Sequence, residues 1–454
     1  MIGPKGGRGY ERTLLSIMDR RHFCRLSAAG LIGPYFSLPS WITPSLRQAQ
    51  EVNGQRLNQR MNALSAFGAN AEGGIDRVAF SDANIQALDW ISQLLEEVGF
   101  ASSTDFAGNL IARKPGSISE LPPIMVGSHI DSVPGGGNFD GQVGSMSAIE
   151  VAASLADGFH TTRHPLEVVI FSNEEGGKTG SRAMAGEVED FELDIMTASG
   201  FSIRDGIRRL GGNPDRLTEV RRSAGSIEAF LELHIEQGAV LDADEIDVGI
   251  VEGIVGIMRW NVVVEGRTNH AGTTPMDRRA DAMVGAAQFI NLVHTTARRM
   301  SGKQVATVGR LEAEPGAPNV IPGRVAMTLE IRDLTMAGIE RVYDEIHSNL
   351  FRIETETDTS FSIQRFYTSR AAPTAPRIRE IIETSAQRLG LSTHRMPSGA
   401  GHDAQSIALF APVGMIFVPS ISGISHAPEE NTEPQDIVNG ANVLLQTLLE
   451  LDER

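Results

Sequence analysis

The sequence predicts an α/β protein whose mostly parallel, mixed sheet is flanked by helices and interrupted by a smaller inserted domain. At 454 residues the chain is too long for one hydrophobic core. Short apolar runs alternate with stretches of helical periodicity, which is typical of parallel strands covered on both faces. A central stretch instead follows a β-α-β-β-α-β order. We therefore expect a main domain in two parts, separated by the insertion.

The first part of the main domain is expected over residues 51–252. Apolar residues at helical spacing predict its helices, and short continuous apolar runs predict its strands. In order, these elements are helices over 55–64 and 82–98, a strand over 123–127, a helix over 144–156, and strands over 166–171 and 229–234. Ligands of such sheets bind beyond the carboxyl ends of the strands, so the polar residues after these runs are the candidates for a site.

The inserted domain is expected over residues 253–368, and the second part of the main domain over 369–454. The insertion has the ferredoxin-like order of elements. Its predicted strands cover 257–265, 304–312, 325–331 and 360–367, and its predicted helices cover 279–299 and 336–351. Further helix and strand signals over 376–389, 413–418 and 433–451 complete the main domain.

Charge and cysteine content exclude several classes of partner and site. The net charge is −17, and the acidic residues are spread along the chain. Nucleic acid is therefore not expected as a partner, because phosphate binding needs basic patches. An anionic small molecule would need its own local cation. Cys24 stands alone, so we expect neither an intrachain disulfide framework nor a thiolate metal site.

The first 50 residues are expected to be a signal region rather than part of the fold. Residues 18–26 read MDRRHFCRL, and an interrupted apolar run follows. An arginine pair before a short apolar region is typical of twin-arginine export, which predicts a periplasmic protein. The alternative is a basic tail on a cytoplasmic protein. The run is too short, and too interrupted by Pro34 and Pro39, to span a membrane.

Two histidine and carboxylate groups follow the predicted strands. His129 and Asp131 come after the run at 123–127, and they face the same side of an extended segment. Asp140 lies in a glycine-rich loop before a helix. This pattern fits a metal ligand with a carboxylate that orients it. A surface turn is the alternative for His129 and Asp131. A phosphate-binding loop is the alternative for Asp140, although the required lysine is missing.

The second group is spread over three strand ends. Glu174 and Glu175 end the run at 166–171, His234 ends the next one, and His426 follows the run at 413–418. Adjacent glutamates can divide the work between metal binding and general base catalysis. A solvated loop, and for His234 a structural role, are the alternatives for each residue alone. Their coincidence at successive strand ends favours a metal-dependent site.

The chain resembles a known family from about residue 53 to 451. It resembles the M20 group of dinuclear metal-dependent amidohydrolases, and within that group the branch of N-carbamoyl-L-amino-acid hydrolases and allantoate amidohydrolases. The motifs that carry the resemblance are, in order, GSHIDSVPGGGNFDG, FSNEEG, LELHIEQG, GRTNHAGTTPMDRR, PNVIPGRV, EIRDL, SGAGHDAQ and SHAPEE.

The resemblance implies a role for each site residue. It implies two divalent ions per subunit, Zn²⁺, Mn²⁺, Co²⁺ or Ni²⁺, which are ions that His and carboxylate ligands suit. It places His129 and His234 on one ion and Glu175 and His426 on the other, with Asp140 bridging them. It also implies Glu174 as the general base, Asp131 behind His129, and a cis peptide bond after Asp140.

The resemblance further implies the substrate contacts and a homodimer. Arg332 would hold a substrate carboxylate, Gln237 would bind the ureido group, and His270 would stabilise the reacting oxyanion. Further contacts are implied for Asn319 and for the backbone of Ala400 and Gly401. The inserted domain, residues 253–368, is implied to act as a lid and to form the dimer.

The predicted function is metal-dependent hydrolysis of the carbamoyl or ureido amide of an N-carbamoyl-L-amino acid, allantoate or a similar ureido acid, with release of ammonia and CO₂. A zinc aminoacylase or exopeptidase of the same fold is one alternative, and Gln237, Asn319 and Arg332 argue against it. A non-catalytic periplasmic binder of ureido compounds is another. A binder has no need for a general base, so Glu174 argues against that alternative.

Overall fold

A computed structural model describes residues 50–454. The predicted signal region over residues 1–50 therefore lies almost entirely outside the described residues. The described strands are, in chain order, β1 (Ala101–Thr104), β2 (Leu110–Lys114), β3 (Ile124–His129), β4 (Leu166–Phe171), β5 (Ala229–Ile235), β6 (Val248–Ile254), β7 (Gly256–Glu265), β8 (Asn269–His270), β9 (Val305–Glu314), β10 (Val320–Ile321), β11 (Arg324–Asp333), β12 (Ser360–Ser369), β13 (Ala372–Pro373), β14 (Thr393–Ser398) and β15 (Val413–Val418).

The described helices alternate with these strands in most of the chain. They are α1 (Gly54–Leu64), α2 (Asp82–Glu97), α3 (Gln142–Asp157), α4 (Thr179–Ala185), α5 (Ile203–Arg209), α6 (Val240–Ala243), α7 (Ala282–Arg299), α8 (Met336–Ser348), α9 (Leu350–Thr357), α10 (Pro376–Arg388), α11 (Asp403–Ile407) and α12 (Pro434–Asp452). None of the helices formed by residues 50–454 combines the length and the hydropathy that crossing a bilayer requires.

The larger sheet has nine strands and a parallel centre. Its order is β1-β2-β4-β3-β5-β15-β6-β13, with β14 paired to β6. Strands β4, β3, β5 and β15 run parallel to one another, whereas β1, β2 and β13 pair antiparallel. Every residue of the four central strands is buried, which explains why their sequences are largely apolar. Their carboxyl ends meet at one edge, so residues that follow them are brought together.

Helices cover both faces of the larger sheet. Alternate strand residues point to opposite faces, so Ile124 and Val126 pack with α1, α3 and α12, whereas Met125 packs with α4 and α11. Helix α3 is buried from Gln142 to Leu155, because it lies between the sheet and the outer helices. The predicted fold class is confirmed.

A four-stranded antiparallel sheet is built from residues 256–369. Its order is β12-β7-β11-β9, and α7, α8 and α9 pack on one face of it. Side chains of β7 and β11 alternate between this core and the opposite face, where Arg332 lies. The predicted helix over 336–351 is two helices, since Asn349 ends α8 and begins α9. The domain boundaries given above remain predictions.

Several strands escaped prediction because their sequences are polar or interrupted. Strand β1 is largely exposed, and β14 contains Pro397 among polar residues, so neither shows a continuous apolar run. Both are stabilised by pairing with strands nearer the centre of the sheet, β1 with β2 and β14 with β6. Edge pairing of this kind depends on tertiary structure rather than on local sequence.

Candidate metal centre

The carboxyl ends of the central strands bring five of the predicted ligands together. His129 is the last residue of β3, His234 is the penultimate residue of β5, and Glu175 follows β4. Asp140 precedes α3, and His426 follows β15. Parallel strands that pair side by side therefore place residues almost 300 positions apart at one edge of the sheet.

Asp140 lies at the centre of this group. Its Oδ1 is 3.1 Å from Nε2 of His234 and 3.6 Å from Nε2 of His129. Its Oδ2 is 3.0 Å from Nε2 of His426, which in turn is 3.6 Å from Oε1 of Glu175. Two triads, His129–Asp140–His234 and Asp140–Glu175–His426, each have their ligand atoms within 4.8 Å of one another. They share one carboxylate, which is the arrangement of a bridging ligand.

The histidine rings present lone pairs to this centre. Nδ1 of His234 is 2.9 Å from the carbonyl of Ile235, and Nδ1 of His129 is 3.1 Å from the carbonyl of Asp131. A carbonyl only accepts, so each Nδ1 carries the proton and each Nε2 carries the lone pair. The buried Nε2 of His234 has no hydrogen-bond partner among residues 50–454, although a carboxylate oxygen is 3.1 Å away. A cation between the two atoms satisfies both, so the donor set fits a divalent metal.

The electrostatics of the site point to the same conclusion. Burial raises the pKa of Asp140, but the three imidazoles opposite it outweigh burial and hold that pKa well below its usual range. Burial, together with the neighbouring Asp140 and Glu174, raises the pKa of Glu175 to about 8. The hydrogen bond to Asp140 raises the pKa of His426 to about 9. Carboxylates are in excess over local cations here, and metal ions would compensate this charge.

Asp131 orients more than one element of the site. Its Oδ1 is 3.7 Å from Nδ1 of His129, and the backbone carbonyl of Asp131 makes the closer contact to that ring. The carboxylate accepts hydrogen bonds from the backbone N–H groups of Glu174 and Glu175 at 3.3 and 3.1 Å. Asp131 thus holds the loop with the two glutamates against the end of β3.

Gly141 allows the loop before α3 to pass under His129. Its φ is +77°, and an added Cβ would lie 2.3 Å from Nε2 of His129. The cis peptide bond expected after Asp140 is wrong: within residues 50–454 the cis bond is Glu314–Pro315. The positive φ of Gly141 turns the chain at this point instead.

A cavity of about 600 Å³ adjoins the metal centre and contains several of the predicted substrate contacts. Gln237 and Arg332 line it together with Ala400. Nε2 of Gln237 donates to Oδ2 of Asp140 at 2.5 Å, which connects the cavity to the metal ligands. Nε and Nη1 of Arg332 donate to Glu330 and to the carbonyl of Gly399 at 2.7 and 2.6 Å. The remaining lining residues are Glu236, Gly238, Val240, Lys303, His394, Met396, Pro397 and Gly399.

The chain is similar to known proteins over most of its length. The model of peptidase family M20/M25/M40 matches residues 125–450. The chain belongs to this family. The chain is 38% identical over 405 residues to the N-carbamoyl-L-amino acid amidohydrolase of Geobacillus stearothermophilus. This alignment covers 88% of this chain and 99% of that relative. It is 32% identical to the allantoate amidohydrolase of Escherichia coli, over 87% of this chain and 98% of that protein.

A solved structure agrees in both sequence and fold. An amidase of the hydantoinase/carbamoylase family from Burkholderia multivorans superposes with a TM-score of 0.82 at 33% identity, over 89% of this chain and 99% of that one. The predicted family and the hydrolase class are therefore confirmed. The roles of individual residues remain predictions from the resemblance and the geometry.

Two residues expected in this M20 site do not line the cavity beside the metal centre. His270 is in β8, which pairs with β10, and Asn319 directly precedes β10. His270 is exposed, and its Nδ1 accepts the N–H groups of Gly272 and Thr273 at 3.0 and 3.2 Å. The carbonyl of Asn319 accepts from Ala271. The two-stranded ribbon of β8 and β10 thus brings His270 and Asn319 near each other. Neither residue lines the 600 Å³ cavity.

Gly401 also lies outside that cavity, against the loop after Glu175. An added Cβ on Gly401 would be 2.9 Å from Nζ of Lys178, which donates to Oε1 of Gln405 at 2.5 Å. Nε2 of Gln405 donates to the carbonyl of Arg370 at 2.5 Å. The Lys178–Gln405–Arg370 link thus joins the glutamate loop to the chain that leaves the four-stranded sheet. Sequence analysis missed it, because its members are far apart in the chain.

Buried Arg77 is a second residue that sequence analysis missed. Its Nε donates to the carbonyl of Ile130 at 2.7 Å, and its Nη2 donates to Oδ1 of Asn138 at 3.1 Å. Ile130 lies between His129 and Asp131, and Asn138 is two residues before Asp140. Arg77 therefore joins the two segments that supply ligands of the first triad. Arg77 lies in a segment without regular secondary structure, and the local sequence gave no signal of this role.

A further buried layer lies behind His234. The ring of His402 is 4.4 Å from that of His234, centroid to centroid, and Glu232 is near both. The oxygens of Glu232 accept from Oγ of Ser128 and the N–H of Ala404 at 2.7 and 3.0 Å. Because these oxygens are already occupied, Glu232 and His402 support the centre rather than form a separate metal position.

Proposed function

We propose that this M20 hydrolase cleaves the ureido C–N bond of an N-carbamoyl-L-amino acid and releases ammonia and CO₂, using two divalent ions. The observation that carries the proposal is the pair of triads that share Asp140, beside Glu174 and next to a cavity with Arg332 and Gln237. The amidohydrolase names of the relatives from Geobacillus stearothermophilus and Escherichia coli support it.

The metal ligands would be His129, Asp140 and His234 for one ion, and Asp140, Glu175 and His426 for the other. Bound Zn²⁺, Mn²⁺, Co²⁺ or Ni²⁺ would lower the pKa of a bound water toward neutrality. The side chain of Glu174 is 10% exposed, and its carboxylate is 3.8 Å from Nε2 of His129. At this position Glu174 takes the proton of the attacking water and returns it to the leaving nitrogen.

Arg332 and Gln237 would fix the substrate. Two nitrogens of Arg332 already donate to Glu330 and Gly399, so the guanidinium is held rigidly and Nη2 remains for a substrate carboxylate. Gln237 offers an amide that can pair with a ureido group at the edge of the metal centre. The carbonyl and N–H groups around Ala400 complete the polar side of the cavity.

The apolar side of the cavity favours a carbamoyl amino acid with an apolar side chain. Val240, Met396 and Pro397 line the cavity and offer no side-chain donor or acceptor. Allantoate carries a second ureido group in place of an amino acid side chain. Burial of that group without hydrogen bonds would cost about 1–3 kcal/mol. An aliphatic or thioether side chain gains from the same contact.

Ammonia release by the metal-stripped, then Mn²⁺- or Zn²⁺-reloaded enzyme tests this function. The panel contains N-carbamoyl derivatives of leucine, methionine and aspartate, allantoate, an N-acetyl amino acid and a dipeptide, the last two assayed by free amine. We expect metal-dependent turnover with the highest kcat/KM for the leucine and methionine derivatives. Turnover of only the acetyl or peptide substrates would move the chain to the aminoacylase and exopeptidase alternative. Binding of ureido compounds without turnover would favour the binder.

We also propose that a homodimer completes the site through residues 253–368. His270 and Asn319 are away from the metal centre of their own chain, and the exposed β9 edge of the four-stranded sheet can pair with another copy. His270 of one protomer would then stabilise the oxyanion at its partner's centre. Light scattering should give twice the monomer mass, and a monomer at working concentrations would refute this assembly.

Periplasmic export by the twin-arginine route is a separate proposal, supported by Arg20, Arg21 and the apolar run that follows. Cell fractionation of the full chain and its Arg20→Lys/Arg21→Lys variant tests it. The unaltered chain should reach the periplasm, and the variant should remain in the cytoplasm. Retention of both in the cytoplasm would contradict export.

A further inference from the structure

Glu430 is a buried carboxylate that no assigned role explains. It is the last residue of the SHAPEE motif, and it is 4% exposed. It lies between the loop that carries Asp140 and the loop that carries His426, which are nearly 290 residues apart in the chain. A carboxylate buried at such a place is costly unless its oxygens are fully hydrogen-bonded.

Each oxygen of Glu430 serves a different loop. Oε1 accepts the backbone N–H groups of Phe139 and Asp140 at 3.0 and 3.1 Å. Oε2 accepts Oγ of Ser425 and the backbone N–H of His426 at 2.8 and 3.2 Å. These four donors fill the acceptor positions of an ionised carboxylate. Glu430 therefore joins the two loops directly through the backbone of two predicted metal ligands.

His426 depends on this contact more than the other histidines do. Its side chain is 49% exposed, whereas those of His129 and His234 are 2% and 1% exposed. Its backbone also has a φ of +57°, a conformation that is unfavourable for a residue with a side chain. Packing holds the buried histidines at the strand ends, but the hydrogen bond from its own N–H fixes His426.

We propose that Glu430 is the positioning residue that sets the distance between Asp140 and His426, and thereby the affinity of the Asp140–Glu175–His426 metal position. The inference rests on the proposed dinuclear centre. Asp140 is shared by both triads, but the other triad keeps His129 and His234 on strands β3 and β5, so its ion should be held much more tightly than the second ion when Glu430 is altered. Glu430 does not line the 600 Å³ cavity.

The chemistry of the contact explains why an amide cannot replace the acid. A glutamine at residue 430 has one acceptor oxygen and one NH₂ group. Whichever loop faces the NH₂ group meets donor against donor, so one of the two loops loses its hydrogen bonds. Loss of a hydrogen bond that orients a metal ligand typically lowers metal affinity about 10- to 100-fold.

Cobalt titration of the metal-stripped, full-length enzyme tests the proposal. Visible d–d absorption and equilibrium dialysis report the number and affinity of bound Co²⁺ ions. Wild type should bind two equivalents, and Glu430→Gln should bind one tightly and the second about 10- to 100-fold more weakly, with an altered spectrum. Glu429→Gln is the matched control, because Glu429 is the exposed neighbour in the same motif and should behave as wild type.

A second variant tests the same contact without changing the acid. A Cβ on Gly137 would lie 2.4 Å from both Cβ and Oε1 of Glu430, so Gly137→Ala displaces Glu430. It should weaken the same equivalent of Co²⁺, even if Glu430→Gln does not fold. Two tight equivalents in both variants, or equal weakening of both ions, would overturn the inference while leaving the dinuclear centre intact. Failure of wild type to bind two ions would overturn both proposals.

Discussion

The metal centre and the ribbon of β8 and β10 both carry predicted site residues, but those of the centre are held by buried groups, whereas those of the ribbon are exposed. The candidate ligands of the centre lie in or after strands of the larger sheet and are held by buried groups such as Asp131, Arg77 and Glu430. His270 on the ribbon is exposed, and its ring accepts only local backbone N–H groups. The candidate ligands lie together within one chain, whereas the ribbon residues do not line the cavity beside them.

This difference shows that one set of sequence motifs can supply both site residues that folding brings together and site residues that folding of one chain leaves exposed. Residues at parallel strand ends are brought together by folding alone. We propose that residues on the exposed ribbon complete the site only through domain closure or a partner chain.

The largest expected effect belongs to Glu174→Gln. This variant keeps the shape of the side chain but cannot accept the water's proton, so kcat should fall on the order of 1,000-fold. Metal content by mass spectrometry should remain at the wild-type level, because Glu174 belongs to neither triad. Near-normal turnover would remove Glu174 as the base.

His270→Ala should lower kcat about 100-fold, as the loss of an oxyanion donor does. Mixing inactive His270→Ala and Glu174→Gln chains under exchange conditions then separates the two regions. In a hybrid dimer, one of the two centres has both an intact Glu174 and a partner's intact His270. Activity should recover to about a quarter of wild type, since half of randomly paired dimers are hybrids. No recovery would mean that His270 acts within its own chain.

Arg332→Ala should raise KM about tenfold or more for carboxylate substrates, since it removes a charged hydrogen bond in the bound substrate. Steady-state kinetics should show a much smaller change in kcat. Arg365→Ala is the control, because Arg365 lies in β12, at the other edge of the same sheet, and pairs with Glu340 at the surface. An equal effect of both variants would show that general charge, rather than a substrate contact, matters.

The smallest effect is on thermal unfolding. Metal at 100 times its Kd should stabilise the protein by about 2.7 kcal/mol, which raises Tm by a few degrees. Asp140→Asn should abolish most of this increase, because Asp140 belongs to both triads. His270→Ala should keep it in full. Calorimetry with and without added Mn²⁺ measures both, and a lost increase in His270→Ala would place the ribbon in the metal site.

Sequence analysis predicted the sheet centre well because its information is local. The four central parallel strands are buried throughout and largely apolar, and the predicted run over 166–171 matches β4 residue for residue. Polar strands such as β1 and β14 depend on pairing partners, so local sequence did not indicate them. The two helices α8 and α9 were predicted as one, since Asn349 is compatible with a continuous helix.

In the candidate site, too, some residues were indicated by the local sequence and others were not. Histidines and carboxylates after strands carry a chemical signal, and the structure brings the five predicted ligands within one group. The residues that hold them, such as Arg77 and Gln405, act through backbone carbonyls and amides of distant segments. No spacing in the sequence marks such contacts. Glu430 was visible within the SHAPEE motif, but its position between two loops was not.

The Lys178–Gln405–Arg370 link has a mechanical consequence. The chain leaves β12 at Ser369, and the next residue, Arg370, accepts the hydrogen bond of Gln405. A swing of the four-stranded sheet about this point must either break that bond, at about 1 kcal/mol, or pull Gln405 and Lys178 along. Lys178 is bonded through its backbone N–H to the carbonyl of Glu174. The side chain of Gln405 thus couples any movement of the four-stranded sheet to the backbone position of Glu174.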